Sequence, residues 1–314
     1  MNVLLSGRLD AVEYSTWKDH LCRAVPAVNW LDLAAAEASP DDVEVAVVAN
    51  PAPASLRPFR RLRLIQSLWA GVEGLLTDGT LPEGVPLARM VDPAMTAAMV
   101  QTVQWAVLAL HRHCFDYERQ QRQRLWRPLP QSRAEEVSVL VLGRGEMGAA
   151  ASAALAGMGY AVAAWSLSAR AGPVPGIVPL TGDGALRATL ADTDIVVNLL
   201  PLTAATTGLI DAGFIARLPR GACVVNLARG RHVVEPALLA ALDSGHLRHA
   251  VLDVFATEPL PDNHPFWQHP AVTVLPHAAA QTDPRSAAAV VAANLDAIRQ
   301  GRPVRHLVDR ARGY

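Results

Sequence analysis

The chain has 314 residues, 51% of them hydrophobic and 18% charged, which is enough for two ordinary domains or one large one, with buried cores. Its 28 Lys and Arg against 29 Asp and Glu leave a net charge of −1, without the basic block of a nucleic-acid binder or an acidic tail. Cys22, Cys114 and Cys223 are odd in number and lack metal spacing, so they read as buried, reduced thiols of a cytoplasmic protein.

The opening "MNVLLSGRLD" lacks the basic start and long apolar stretch of a signal peptide. "NVLLSG" (2–7), "VEVAVVAN" (43–50) and "LRLIQSLWAG" (62–71) are short, branched and apolar, as buried parallel strands are. Helices or turns are expected over 11–24 and 32–38, and "PAPASLRP" and "LPEGVP" read as loops. From Met95 a long helical pattern runs to "QRLW", apolar on most faces in its first half and strongly charged in its second. The apolar part, "VQWAVLALHRH", meets charge too early for a membrane span, so a protein free of the membrane is expected. Prolines in "RPLPQSRAEE" end the helix.

A second series of strands is expected at 137–143, 160–166, 194–200, 222–228, 249–255 and 271–276. Helical segments at 146–158, 185–191, 211–217, 235–243 and 283–300 alternate with them, which implies a mostly parallel sheet covered on both faces. The pattern divides the chain into residues 1–94 and a domain over 95–282, with 283–314 returning to the first unit.

"VLVLGRGEMG" places Gly143, Gly145 and Gly148 in G-x-G-x-x-G spacing between a strand and an Ala-rich helix, with Arg144, Glu146 and Met147 between and beside them. Gly143 permits a tight turn, Gly145 a close approach to a pyrophosphate, and Gly148 helix–strand packing. The helix N-terminus adds unpaired amides and partial positive charge, so a dinucleotide site is expected. At the end of the next strand, "AVAAWSLSAR", Ser166 stands where a carboxylate would bond the ribose of NAD and repel a 2′-phosphate. With Ser168 and Arg170 in loop reach, NADP(H) is favoured over NAD(H); the plainer reading makes Arg170 a solvated loop charge.

Three later strand ends carry reactive chemistry: Arg229 in "VVNLARGRHVV", Asp253 and Glu258 in "HAVLDVFATEPLP", and His277 in "AVTVLPHAAA". Each alone has a bland explanation, as a helix cap, a surface acid or a loop histidine. Gathered at the carboxyl edge of one sheet, they suit reduction of a 2-oxoacid: Arg229 to hold the oxygens, His277 to give the proton and Glu258 to orient it. His111 and His113, two apart on a helix, make a poor metal pair, and no metal site is expected.

With "NLLPLTAATTGLI", "NLARGRHVVEPALLAALDSGHL", "LDVFATEPLP" and "LPHAAA", the chain resembles the D-isomer-specific 2-hydroxyacid dehydrogenase family over nearly its whole length. "LWRPLP" and "VDRARGY" resemble, more narrowly, its bacterial glyoxylate/hydroxypyruvate reductases. The resemblance implies an α/β chain of two Rossmann-like or flavodoxin-like domains with parallel sheets and a cleft between them. Residues 1–94 with 283–314 would bind substrate, and 95–282 the dinucleotide. It implies Arg229, Glu258 and His277 as the catalytic set, and Asp253, helped by backbone at Leu227 and Ala228, as the partner of the nicotinamide carboxamide. Pro201 and Thr206 would line the adenosine and pyrophosphate site, and the amides of Ala70 and Gly71 in "SLWAGVEGL" would bind the substrate carboxylate. Trp126 matches a tryptophan with which, in relatives, a partner subunit closes the pocket, a helix-end core anchor being the competing role. The long helix from Met95 with its apolar first half, together with the resemblance, suggests a homodimer joined through the dinucleotide domain. Two departures stand out. Leu167 replaces a basic residue common in relatives, and Ala49 and Asn50 replace a Trp and a His near the substrate, leaving the preferred oxoacid open. A non-enzymatic cofactor sensor, or a dehydrogenase of another hydroxyacid or a small anion such as formate, remains the alternative.

Overall fold

The computed structural model describes residues 1–168 and 174–314, and they divide into one unit of Met1–Met95 with Thr282–Tyr314 and a second of Thr96–Gln281. The first begins with β1 (Asn2–Gly7) and α1 (Ala11–Ala24). A reciprocal cap starts α1: Asp10 accepts from the Val12 and Glu13 amides, and Glu13 accepts from the Asp10 amide. β2 (Asn29–Leu31), α2 (Leu33–Ala38), β3 (Val43–Ala49), β4 (Leu64–Ser67), α3 (Glu73–Leu76) and β5 (Leu87–Ala88) follow. All pairings are parallel and the strand order is β2-β1-β3-β4-β5, the flavodoxin-like arrangement. The strand expected over 62–71 is pleated only at β4; beyond Ser67 the chain turns into a loop, because the Ser67 hydroxyl accepts the Trp69 amide at 3.0 Å.

α4 (Pro93–His111) and α5 (Cys114–Arg122) replace the single long helix expected from Met95. The break is tertiary in origin. Arg248 donates to the Leu110 carbonyl at 3.0 Å, the acceptor a continuing helix would use, and His113 takes a left-handed φ of +59°. Asp116 then gathers His113, Arg119 and Arg248 around its carboxylate. α4 is, by length and composition, apolar enough to cross a membrane, which amends the reading that no run is long enough; a core helix passes the same test. Its Val103, Ala106, Val107 and Leu110 belong to the core of the second unit.

That unit continues through β6 (Ser138–Leu142), α6 (Glu146–Gly157), β7 (Ala161–Ser166), β8 (Ile177–Thr181), α7 (Gly182–Thr189), β9 (Ile195–Asn198) and α8 (Ala212–Ile215). β10 (Ala222–Asn226), α9 (Glu235–Asp243), β11 (Leu247–Leu252) and β12 (Val272–Val274) complete it, and α10 (Pro284–Arg299) packs on α1 in the first unit. Seven parallel strands run β12-β11-β10-β9-β6-β7-β8, so β7 and β9 flank β6 on opposite sides: the β6–β7 connection runs one way and the crossover from β8 to β9 returns past it to the other. Ligands bind at the carboxyl ends beside such a reversal. Alternate strand residues serve opposite faces: Val139, Val141, Val197 and Val225 meet α4 and α6, while Leu140, Leu142, Val196 and Val224 meet α8 and α9.

Of the three cysteines read as buried, only Cys223 is; Cys22 is half-buried and Cys114, opening α5, is exposed. On β11, His249 stacks on Phe115 at 4.3 Å, bonds Thr273 of β12 at 2.9 Å, and leaves Nδ1 buried without a partner among the described residues. Burial pulls its pKa from 6.5 down to about 4. The unfolded chain therefore takes up this proton first: the contribution is complete above pH 6.5 and disappears as pH falls toward 4. The unfolding free energy from urea titrations between those limits should fall with a slope of up to about 1.4 kcal/mol per pH unit from this residue. His249→Gln should flatten that slope, and an unchanged profile would refute the assignment.

Candidate active site

The turn after β6 is built for close approach. Gly143 has a φ of +115°, and a Cβ there would stand 2.8 Å from the Leu199 carbonyl oxygen. A Cβ on Gly148 would stand 1.9 Å from the Gly143 carbonyl oxygen, so α6 can seat against the turn only without a side chain at that position. A Cβ on Gly145, by contrast, would meet nothing within 4 Å. With no side-chain cap on α6, its leading amides, from Glu146 and Met147 onward, keep their capacity for an anion, and half-buried Arg144 sits in the same turn. These features fit a dinucleotide pyrophosphate.

At the end of β7, Ser166 is 6% exposed and its hydroxyl donates to the Ser168 carbonyl at 2.9 Å. The hydroxyl hydrogen thus closes a local turn, and what the position offers a ligand is the lack of a carboxylate. Arg170 lies outside the described residues. After β9, Thr206 is buried and donates to the Pro201 carbonyl at 2.8 Å while accepting from the Thr203 amide at 2.9 Å, so it shapes its loop from within.

Glu258 and His277 come together directly: His277 Nδ1 lies 2.7 Å from Glu258 Oε2, and the other Glu258 oxygen accepts the Phe255 amide at 2.9 Å. Engaging Nδ1 leaves Nε2 as the outward ring nitrogen. Beneath the pair, Asp253 is 1% exposed and its oxygens accept the Ala278 and Ala279 amides at 2.7 and 3.1 Å. Its carbonyl also accepts the His277 amide at 2.9 Å, which holds His277 at a left-handed φ of +53°. Burial raises the Asp253 pKa, against those amides and His277, which lower it.

Arg229 lies three residues past β10, its guanidinium donating to the Ala228 carbonyl at 2.6 Å. The next residue, Gly230, presses so closely on the 253–258 segment that a Cβ would stand 1.8 Å from the Phe255 carbonyl carbon. Leu227 and Ala228 are buried, their amides directed to the Asn198 carbonyl and the Asn226 side chain. Sequence reasoning missed Asn198, Asn226 and His232, which are fully buried and bonded to one another behind Arg229. The available signal was an asparagine ending each of two apolar strands, "IVVN" and "ACVVN".

In the first unit, the Trp69 carbonyl accepts the Met90 amide at 3.0 Å and its ring meets Trp17 edge-on at 6.0 Å. That anchored turn presents Ala70 and Gly71, whose amides have no acceptor among the described residues. Trp126, past α5, is 97% exposed, which excludes the helix-end core anchor. Among the described residues no group of three His, Cys, Asp or Glu side chains could hold a metal.

A family model, the D-isomer specific 2-hydroxyacid dehydrogenase NAD binding domain, matches residues 104–279. The chain is 39% identical over 303 residues to glyoxylate/hydroxypyruvate reductase A of Salmonella heidelberg, covering 95% of this chain and 96% of that protein. A D-isomer specific 2-hydroxyacid dehydrogenase of Xanthobacter autotrophicus, solved with NADPH and MES, is 39% identical with a TM-score of 0.94, covering 100% of this chain and 99% of that one. The NADPH-dependent glyoxylate/hydroxypyruvate reductase of Sinorhizobium meliloti, solved with NADP and sulfate, is 35% identical with a TM-score of 0.91 and the same coverage.

Proposed function

Because the chain belongs to the D-isomer specific 2-hydroxyacid dehydrogenase family, we propose that it reduces small 2-oxoacids, glyoxylate and hydroxypyruvate first, with NADPH. The observation that carries this reading is the 2.7 Å pair of His277 and Glu258, set on a loop gripped by buried Asp253. A bound nicotinamide dinucleotide supplies the hydride. Arg229 holds the carboxylate and carbonyl oxygen of the oxoacid and offsets the charge that grows on that oxygen. His277 gives its Nε2 proton to the same oxygen, and Glu258 keeps Nε2 as the donating nitrogen by occupying Nδ1. The amides of Ala70 and Gly71 bind the carboxylate, with neutral donors fixed by their turn. Asp253, with the backbone of Leu227 and Ala228, borders the carboxamide. Pro201 and Thr206 border the adenosine and pyrophosphate, and residues 143–148 hold the phosphates. Residues 1–94 with 283–314 serve the substrate and 95–282 the dinucleotide.

NADPH oxidation with a panel of 2-oxoacids, and NADP reduction with hydroxyacids and formate, tests the reading; no turnover in either direction would end it. For the coenzyme, Ser166 sets no carboxylate against a 2′-phosphate, and Arg170 is the cation assigned to it. Arg170→Ala should raise the KM for NADPH about ten- to a hundredfold and leave that for NADH nearly unchanged. Equal effects on both would remove Arg170 from the phosphate site. We also propose a cytoplasmic homodimer in which Trp126 reaches the partner's pocket, since Trp105, Leu108, Leu125 and Trp126 leave apolar surface exposed. Sedimentation of the purified protein as a monomer at micromolar concentration would refute it.

A further inference from the structure

Asn198 ends β9 and Asn226 ends β10, and the two are register partners across the sheet. The backbone dictates how both amides are turned. Asn226 accepts the Ala228 amide through Oδ1 at 3.3 Å and donates through Nδ2 to the Arg229 carbonyl at 3.0 Å. Asn198 accepts the Leu200 amide through Oδ1 at 3.2 Å, which leaves its Nδ2 to donate both to Asn226 Oδ1 and to His232 Nδ1, each at 2.9 Å. His232 Nδ1 must then accept, so the ring's hydrogen sits on Nε2, which lies 3.2 Å from the Pro201 carbonyl. A second proton on this ring would set an N–H against the Asn198 amide hydrogens. The two loops also run side by side: the Ile210 amide donates to the His232 carbonyl, and that of Gly208 to the Arg231 carbonyl.

We infer that His232, as a neutral imidazole with its hydrogen on Nε2, is a positioning residue that fixes the Pro201–Thr206 loop and the Arg229 backbone through one buried network. The inference rests on the reading that this loop borders the coenzyme and that Arg229 holds the oxoacid. Its content is that the two half-sites share a single hinge-pin, so each can be loosened alone by removing one ring nitrogen.

Two substitutions separate the halves. His232→Asn keeps an acceptor near the Nδ1 position but cannot reach Pro201; His232→Gln can reach Pro201 but gives Asn198 no acceptor at Nδ1. One hydrogen bond corresponds to about a fivefold effect. His232→Asn should therefore weaken NADPH binding at least about fivefold, with the KM for glyoxylate at saturating NADPH held within about twofold. His232→Gln should do the reverse, lowering kcat/KM for glyoxylate at least about fivefold while NADPH binding stays within about twofold. Equal effects of both variants on both quantities, or no effect of either, would overturn the inference. Nitrogen NMR of histidine-labelled wild-type protein at pH 7 supplies an arm independent of activity and of variant folding. A His232 hydrogen on Nε2 alone is expected, and one on Nδ1, or on both nitrogens, overturns the network. A wild-type protein that turns over no oxoacid yet carries this tautomer would instead fault the functional reading.

Discussion

Replacing His277 by alanine should lower kcat for glyoxylate reduction by about 10²- to 10⁴-fold, the usual worth of a positioned general acid. NADPH binding should persist, because the side chain removed is not among those assigned to the dinucleotide. The loop itself should also survive, since Asp253 holds it through the amides of residues 277, 278 and 279 and not through the imidazole. Stopped-flow measurement of NADPH oxidation would read the loss. A variant that reduces glyoxylate at the wild-type rate would remove His277 from the chemistry and, with it, the role given to Glu258.

The second large effect is expected from Gly230→Ala. The added methyl would stand 1.8 Å from the Phe255 carbonyl carbon and 2.1 Å from its oxygen. Both obstacles are backbone, so no rotamer change relieves them, and either the strand end carrying Arg229 or the segment carrying Glu258 must shift. Overpacking of this kind costs about 3 kcal/mol or more, which for a domain of this size lowers the melting temperature by roughly 6–12 °C. Because Arg229 and Phe255 move apart, kcat/KM for the oxoacid should fall more than the affinity for NADPH. Calorimetry with parallel kinetics checks both, and a variant as stable and active as wild type would show that the two segments are not rigidly apposed.

How much of this was legible in the chain depended on whether the cause was local. The glycine turn could be read because three glycines, a strand and a helix are consecutive, and the close approaches at Gly143 and Gly148 fit the steric roles given to those two. The alternation of apolar strands with helices gave the parallel sheets for the same reason. The break at His113 was not legible, because its cause, Arg248, is 138 residues from the Leu110 carbonyl it occupies. β8 was missed since Pro179 and exposed Val178 make it look like a loop; as the outermost strand beside β7 it tolerates both. The Asn198–Asn226–His232 network escaped because the partners lie 28 and 34 residues apart and only the sheet register sets them side by side. For Ser166, the residue type was visible but not where its hydrogen goes.

The hold that Asp253 exerts on the chain after His277 runs entirely through main-chain nitrogens. Ala278, Ala279 and Ala280 accordingly bring no polar side chain to their own fixation. The main chain that carries His277 is therefore fixed without calling on the side chains that follow it. Only proline, which has no hydrogen to give the carboxylate, is barred from positions 278 and 279 on this ground.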